Sequence, residues 1–301
     1  MPITLTQLRS FLAVVRTGSV TAAADSLVVT QPSVSAAVTA LSREVGVDLL
    51  EREGRGVRPT PAGREFAGYA ADVIGLLERG GRAAHEAEAG RARSLSIAAV
   101  TTAAESFVPP LMRAFALAQP HIGLRLEVGN RDQVLAMVLA HEADLAIGGR
   151  PPSDRPLEAL AMLANELVLI TAPDDPLAAD PPVSPVVLAS RRWLLREPGS
   201  GTRAVNEEYL ASAGIAAETM TLGSNGAIKQ AARAGLGVSF VSRAAVATEL
   251  DAGLLGVIAV ATGPAPRDWY AMRSSVGPAR PVVTEFLTFV ASTNARRVLE
   301  A

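Results

Sequence analysis

The chain contains no cysteine, which excludes structural disulfides and thiolate metal sites outright. Lysine is nearly absent too: Lys229 stands alone among 28 basic residues, a bias that reflects genomic base composition rather than function. Histidine occurs only at His85, His121 and His141, scattered without ligand partners nearby. His141-Glu142 does not open a zinc helix, because Leu145 stands where the second histidine would be. The Gly-rich stretch around Gly199 lacks the lysine of a Walker loop, and neither Ser200 nor Ser224 sits in a Gly-x-Ser-x-Gly elbow. No enzyme, metal or cofactor is expected. No apolar run approaches the ~18 residues a membrane helix needs, and Met1-Pro2-Ile3-Thr4-Leu5 has no basic stretch ahead of a hydrophobic one. The expectation is a soluble cytoplasmic protein without a membrane partner.

An excess of positive charge is also missing. The formal net charge is -2, and residues 1–66 hold seven arginines against six acids. A protein that coats DNA non-specifically is strongly basic. DNA binding by this chain therefore has to rest on a few placed arginines and a defined surface.

What is present is a well-filled sequence of 301 residues, 49% apolar and 19% charged, long enough for two or three cores. Leu5, Leu8, Leu12 and Val15 fall at helical spacing and Gly18 ends the run. Ser19 suits the N-cap of a short helix, Val20–Leu27, whose Ala22, Ala23 and Ala24 allow close packing. Thr30 then caps a third helix that begins at Gln31-Pro32. There Val34, Val38, Leu41 and Val45 share one face, and Pro32, Ala36, Thr39 and Arg43 point the opposite way, flanked by Ser33 and Ser35. This is the pattern of a helix-turn-helix, with short polar side chains that let a helix enter the major groove and Gln31 and Arg43 able to bond base edges. The same face equally suits the solvated side of a small bundle.

Leu49 through Arg58 reads as a hairpin with glycines at its turn and Arg52, Arg55 and Arg58 spaced along it. Such a wing lies beside a recognition helix and reaches phosphate or the minor groove. Thr60-Pro61 caps a long helix to about Ala89, with Phe66, Ala70, Val73 and Leu77 as a seam. It would span roughly 40 Å and is expected to pair with its copy in a dimer. Two-fold symmetry then implies a pseudo-palindromic double-stranded DNA site.

Downstream, strand-like and helix-like runs alternate, which indicates parallel sheets with helices on both faces. Gly129-Asn130, Val134 and Leu145-Ala146-Ile147 are echoed at identical spacing by Gly223-Ser224, Ile228 and Ser239-Phe240-Val241. The expected fold class is α/β: an all-α winged helix-turn-helix over 1–60, a linker helix over 61–90, and an effector domain over 91–301. The effector domain divides into two Rossmann-like lobes of the periplasmic-binding type, the first over 94–164 and 266–301 and the second over 165–265. Ligands bind such sheets beyond the carboxyl ends of their strands. Thr101-Thr102, Asn130-Arg131, Arg196 through Arg203, and Ser224-Asn225 reach that edge. In Arg196-Glu197-Pro198-Gly199-Ser200-Gly201-Thr202-Arg203, backbone N–H groups, hydroxyls and arginines converge on an anion at a helix start. Ser200 or Thr202 would alternatively cap that helix only, Asn225 equally suits a cap, and Arg150 suits either the cleft or plain surface. A solute-binding protein would use such lobes as well, without a DNA-binding segment.

Taken in order, Leu8…Phe11…Ser19-Val20-Thr21-Ala22-Ala23-Ala24…Leu27…Gln31-Pro32-Ser33-Val34-Ser35…Leu41…Gly46…Leu49-Leu50-Glu51-Arg52…Arg58-Pro59-Thr60-Pro61-Ala62-Gly63 resembles the LysR-type transcriptional regulators. The resemblance implies a winged helix-turn-helix, a dimerising linker helix and an effector domain in a dimer of dimers. It assigns DNA contacts to Gln31, Ser33, Ser35 and Thr39 and backbone or wing contacts to Arg52, Arg55 and Arg58. Two departures stand out: Ala36 occupies a position that is basic in many relatives, and Leu50 one that is commonly Phe. Arg196–Arg203, Leu222 through Gln230, Ala234-Gly235-Leu236-Gly237 and Arg267-Asp268-Trp269 are similar to the subgroup that controls carbon-fixation operons. That similarity implies a phosphorylated or otherwise anionic metabolite as effector. From the strand-end reading, Thr101, Thr102, Asn130, Arg150, Arg196, Ser200, Gly201, Thr202, Arg203 and Asn225 are its candidate contacts.

Overall fold

Three capped helices realise the apolar spacing of the first forty-five residues. The computed structural model describes residues 2–54, 56–89, 93–178 and 181–299. The chain divides into two units, the first covering Met1–Arg91 and Leu139–Glu142 and the second the remainder.

In the first unit, α1 (Leu5–Thr17) starts in a capping box between Thr4 and Gln7 and stops at Gly18 in the left-handed region. Helix α2 (Val20–Leu27) is capped by Ser19, and α3 (Gln31–Val45) by Thr30, whose hydroxyl accepts from the Ser33 N–H. Phe11, Val14, Ala23, Val34 and Leu41 are fully or almost fully buried between the three helices. The wing is an antiparallel pair, β1 (Leu50–Glu53) and β2 (Gly56–Pro59). Helix α4 (Pro61–Ala89) follows, with the Gly63 N–H bonded to Thr60 Oγ1 at 2.9 Å. Gly63 is required there, because a Cβ would come within 1.9 Å of the Leu49 carbonyl oxygen.

The expected seam on α4 splits in two. Phe66 and Ala70 pack with Leu8, Phe11 and Leu41 in the helical core, and Phe66 meets the Phe11 ring at 5.8 Å. Val73 and Leu77 are about half exposed, and with Tyr69 they form the open stripe at four-residue spacing. The turn Leu139–Glu142 clusters with this unit. His141, fully buried and at a φ of 59°, receives Arg79 at Nδ1 (2.8 Å) and bonds Asp72 through Nε2 (2.9 Å). Arginine only donates, so Nε2 carries the ring proton and the histidine is neutral.

The second unit holds two lobes. In lobe I, β3 (Arg93–Val100), α5 (Thr101–Glu105), α6 (Val108–Ala118), β4 (Ile122–Gly129), α7 (Arg131–Leu139), β5 (Leu145–Gly148) and β6 (Leu157–Asn165) run in succession. Lobe II contributes β7 (Leu167–Thr171), β8 (Trp193–Arg196), α8 (Gly201–Ser212), β9 (Thr219–Leu222), α9 (Asn225–Arg233), β10 (Ser239–Ser242), α10 (Ala247–Asp251) and β11 (Gly256–Ile258). The chain then returns to lobe I through β12 (Arg267–Ser274), α11 (Pro281–Val290) and α12 (Thr293–Leu299).

The lobes repeat one topology. Lobe I has the strand order β4-β3-β5-β12-β6, parallel across its first three members and antiparallel on both sides of β12. In lobe II, β8 and β9 are parallel, a parallel bridge from Trp193 to Val238 joins them to β10, and β7 is antiparallel to β10 and β11. The internal echo in the sequence is thus the parallel half of each sheet. The sheets are mixed rather than parallel as expected, because β7 and β12 carry the chain across from the other lobe and run against their neighbours. Leu95, Ile97, Phe115, Ile147 and Phe286 fill the core of lobe I, and Trp193, Tyr209, Val238 and Phe240 anchor that of lobe II.

Candidate functional site

On α3, Val34 and Leu41 face inward, whereas Gln31, Pro32, Ser33, Ser35, Thr39 and Arg43 are all exposed. The Ser33 hydroxyl shares a 2.8 Å hydrogen bond with Thr30 Oγ1, and the other side chains of this face stand open. In the wing the register pairs Glu51 with Arg58 and Arg52 with Val57, so the two arginines project from opposite faces. Arg58 is clamped by Glu51 at 2.7 Å and Glu53 at 3.0 Å, and these acids raise its already high pKa. It is not the open phosphate ligand that its spacing suggested. Arg52 is exposed and, among the described residues, has no acidic partner. Arg55 lies outside the described residues.

The second unit contains a cavity of about 640 Å³ between its lobes. Thr101, Thr102, Asn130, Arg150, Arg196, Ser200, Gly201 and Thr202 line it. They converge because β3, β4, β5 and β8 all end there, as open α/β sheets dictate. Ser200 precedes α8 without any side-chain cap bond, so its buried hydroxyl is not consumed by the helix start. Asn130 does cap its own helix, exchanging bonds with Gln133 at 2.9 and 3.0 Å.

Two expected contacts fall elsewhere. Arg203 turns away from the cavity, with Nη1 on the Arg196 carbonyl at 3.0 Å and Nε on Glu207 at 2.8 Å. Its place in the first turn of α8 aims it along β8 and β9, so it braces the strand end instead of the ligand space. Asn225 is not on the cavity wall either, nor does it cap α9; Ser224 does that, accepting from Ala227 at 3.1 Å. Asn225 stands behind the wall, buried between the lobes.

The structure adds lining residues that the strand-end rule did not place there, although Phe240 and Arg267-Asp268-Trp269 stand out in the sequence for other reasons. Asn165, Glu208, Phe240, Arg267, Asp268, Trp269 and Tyr270 reach the cavity through β6, α8, β10 and the returning strand β12. Arg131, next to Asn130, lines it too, with Nη2 on the Arg150 carbonyl at 3.1 Å.

Charge is unevenly spent among the cavity arginines. Arg196 is buried and held by both oxygens of Glu197, at 2.7 and 2.9 Å. Burial alone would push the Glu197 carboxyl up, but the Arg196 hydrogen bonds and charge bring it below the usual carboxylate range. Arg267 is paired with Glu208. Arg131 and Arg150 have no acidic partner among the described residues. Together with the uncapped start of α8, they leave the cavity a net attraction for an anion. Also on the cavity wall, the buried Asn165 Oδ1 has no partner among the described residues and offers an acceptor. Among the described residues no helix is long and apolar enough to cross a membrane, and no metal-binding cluster of His, Asp or Glu occurs.

The model of the bacterial regulatory helix-turn-helix protein, lysR family, matches residues 5–64, and that of the LysR substrate binding domain matches residues 88–295. A RuBisCO operon transcriptional regulator of Allochromatium vinosum is 38% identical over 297 residues, 98% of each chain. The regulatory domain of CcmR from Synechocystis, solved in complex with 2-PG, is 30% identical with a TM-score of 0.62, covering 65% of this chain and 95% of that one. Full-length CbnR, solved with its target DNA, shares the fold at 23% identity and a TM-score of 0.60, covering 98% of this chain and 99% of that one.

Proposed function

This chain belongs to the LysR family of transcriptional regulators, among those similar to regulators of RuBisCO operons, and from that premise we propose how it reads DNA and what controls the reading. A dimer presents two copies of α3 to successive major grooves. Gln31, Pro32, Ser33, Ser35 and Thr39 face the base edges, and Arg43 and the wing arginines Arg52 and Arg55 meet the backbone. Arg58 orders the wing through its two glutamates rather than contacting phosphate directly. The half-exposed Tyr69, Val73 and Leu77 on α4 supply the surface for pairing, and two such dimers make the working tetramer. The protein acts in the cytoplasm and catalyses no reaction.

The effector is a small phosphorylated or carboxylated acid held between the lobes. One observation carries this reading: Arg131 and Arg150 line the cavity without acidic partners among the described residues, together with an α8 start that Ser200 leaves uncapped. The 2-PG complex of the CcmR regulatory domain supports the same ligand class. Thr101, Thr102, Asn130, Ser200, Gly201 and Thr202 complete the contacts, with Arg196 as the buried charge behind them. Closure of the lobes on the acid changes how subunits pack and how far the DNA is bent.

The experiment is fluorescence anisotropy of the full chain on the promoter DNA beside its own gene, with and without 2-PG. Binding that is sequence-selective and shifted by 2-PG is expected, and Arg131→Ala with Arg150→Ala should remove the shift while leaving DNA affinity in place. Equal retention of random duplexes, or a 2-PG response that survives the double substitution, would overturn the reading.

A further inference from the structure

Asn225, the first residue of α9 in lobe II, is 4% exposed, and its side-chain amide has three partners. Arg196 Nη1 bonds Oδ1. On the other side Nδ2 donates to Thr102 Oγ1 at 3.1 Å and to Glu105 Oε2 at 3.0 Å, both on α5 of lobe I. Guanidinium only donates and carboxylate only accepts, so the amide cannot be turned round: its oxygen must face Arg196 and its NH2 group must face Thr102 and Glu105. All its hydrogen-bonding capacity that matters is thereby committed along one direction, from lobe II to lobe I.

The direction has a chemical consequence for Thr102. A hydroxyl has one proton, and Thr102 Oγ1 already accepts from Asn225. Its proton must go elsewhere. Among the described residues no acceptor is recorded for it, and Thr102 lines the cavity whereas Asn225 does not. We propose that Asn225 is a positioning residue of the ligand site: by donating across the cleft it fills one lone pair of Thr102 Oγ1 and keeps the hydroxyl proton turned away from itself toward the cavity, so that the site favours a ligand presenting an anionic acceptor. The inference rests on the anion reading above, and it moves Asn225 from a ligand contact to the group that orients one.

The test is a charge-conserving exchange. Asn225→Asp together with Glu105→Gln keeps the net charge and the bridge between positions 225 and 105, with donor and acceptor reversed. An aspartate there still accepts from Arg196 but now also accepts from Thr102, which draws the hydroxyl proton out of the cavity. Isothermal titration of the full chain with 2-PG and with inorganic phosphate should show affinity about tenfold lower in the exchange variant, the scale of one hydrogen bond to a charged group. Thr102→Val should lose a similar factor, and adding the exchange to Thr102→Val should cost little more. Asn225→Ala, which frees the hydroxyl without adding a carboxylate, is the second variant should the exchange not fold; it too should lose affinity, and lose nothing further once Thr102→Val is present. Wild-type affinity in the exchange variant, or an undiminished further loss in the Thr102→Val background, overturns the positioning role alone. A wild-type chain that binds neither probe overturns the anion reading and the donor role together.

Discussion

The side-chain amide of Asn206 pairs with the main chain of Phe240 as a neighbouring strand would. Nδ2 donates to the Phe240 carbonyl at 2.9 Å, and Oδ1 accepts from the Phe240 N–H at 2.8 Å. Asn206 is fully buried on α8, and this exchange fastens α8 to β10 beside the cavity wall that Phe240 forms. Replacing it by leucine, of similar volume, strands two buried peptide groups. Asn206→Leu should destabilise the effector domain by about 3 kcal/mol, since each unmet buried group costs ~1–3 kcal/mol. Urea denaturation measures this, and a loss under 1 kcal/mol would show that the pairing is dispensable.

Val28, which ends α2, offers a gain instead. It sits at φ 56°, ψ 46°, a backbone region that β-branched residues avoid, and it is 91% exposed. Packing returns nothing for that strain within the chain. Val28→Asn should stabilise the helical unit by about 1 kcal/mol, because asparagine tolerates the left-handed region. Calorimetry of residues 1–89 within the full chain would register a higher melting temperature for the first transition; an unchanged or lower value removes the strain argument.

The two described wing arginines should behave differently on DNA. Arg52→Ala removes an open cation and should weaken binding to all sequences alike, lowering the slope of log K against log salt by about one. Arg58→Ala removes a cation already neutralised by Glu51 and Glu53, so its slope should change much less. Anisotropy titrations between low and moderate salt separate the cases. Equal slope changes would mean that DNA pulls Arg58 from its glutamates.

His141 predicts a pH dependence. Burial first, and the charge of Arg79 after it, lower its pKa below 6.5 despite the hydrogen bond to Asp72. The unfolded chain then binds a proton more readily than the folded one, so stability is fully present above about pH 6.5 and falls as pH drops through that value toward the lowered folded pKa. Asp175 and Glu197, whose folded pKa values are also lowered, act in the same direction at more acid pH. The melting temperature should decline between pH 7.5 and 5.5, and His141→Gln should shrink that decline. An identical decline in the variant would place the titrating group elsewhere.

Legibility in the sequence followed the range of the interactions. Ser19, Thr30 and Gly18 announce helix ends through bonds spanning three or four residues, and the structure places those ends where the sequence puts them. The echo between Gly129 and Gly223 announces a repeated β-α-β unit for the same reason. β6 was invisible: Leu157–Asn165 is rich in Leu and Ala, and it is a strand only because β12 returns to pair with it from more than a hundred residues away. Arg131 and Thr102 were within reach of the strand-end rule, whereas Arg267, Trp269 and Tyr270 at the cavity depend on that same returning strand.

By itself, then, the sequence determined the reading head, the long helix and the kind of lobes, because caps, turns and apolar spacing act over one or two turns of chain. Tertiary structure alone decided which charges stay open. Arg58 and Arg196 are taken by neighbouring glutamates, Arg203 turns to the strand behind it, and Arg131 and Arg150 are left facing the cavity. Sequence puts Glu197 beside Arg196 and Glu51 and Glu53 one hairpin away from Arg58, but whether such neighbours pair depends on how the chain folds, and the openness of Arg131 and Arg150 depends on what distant strands bring to the cavity.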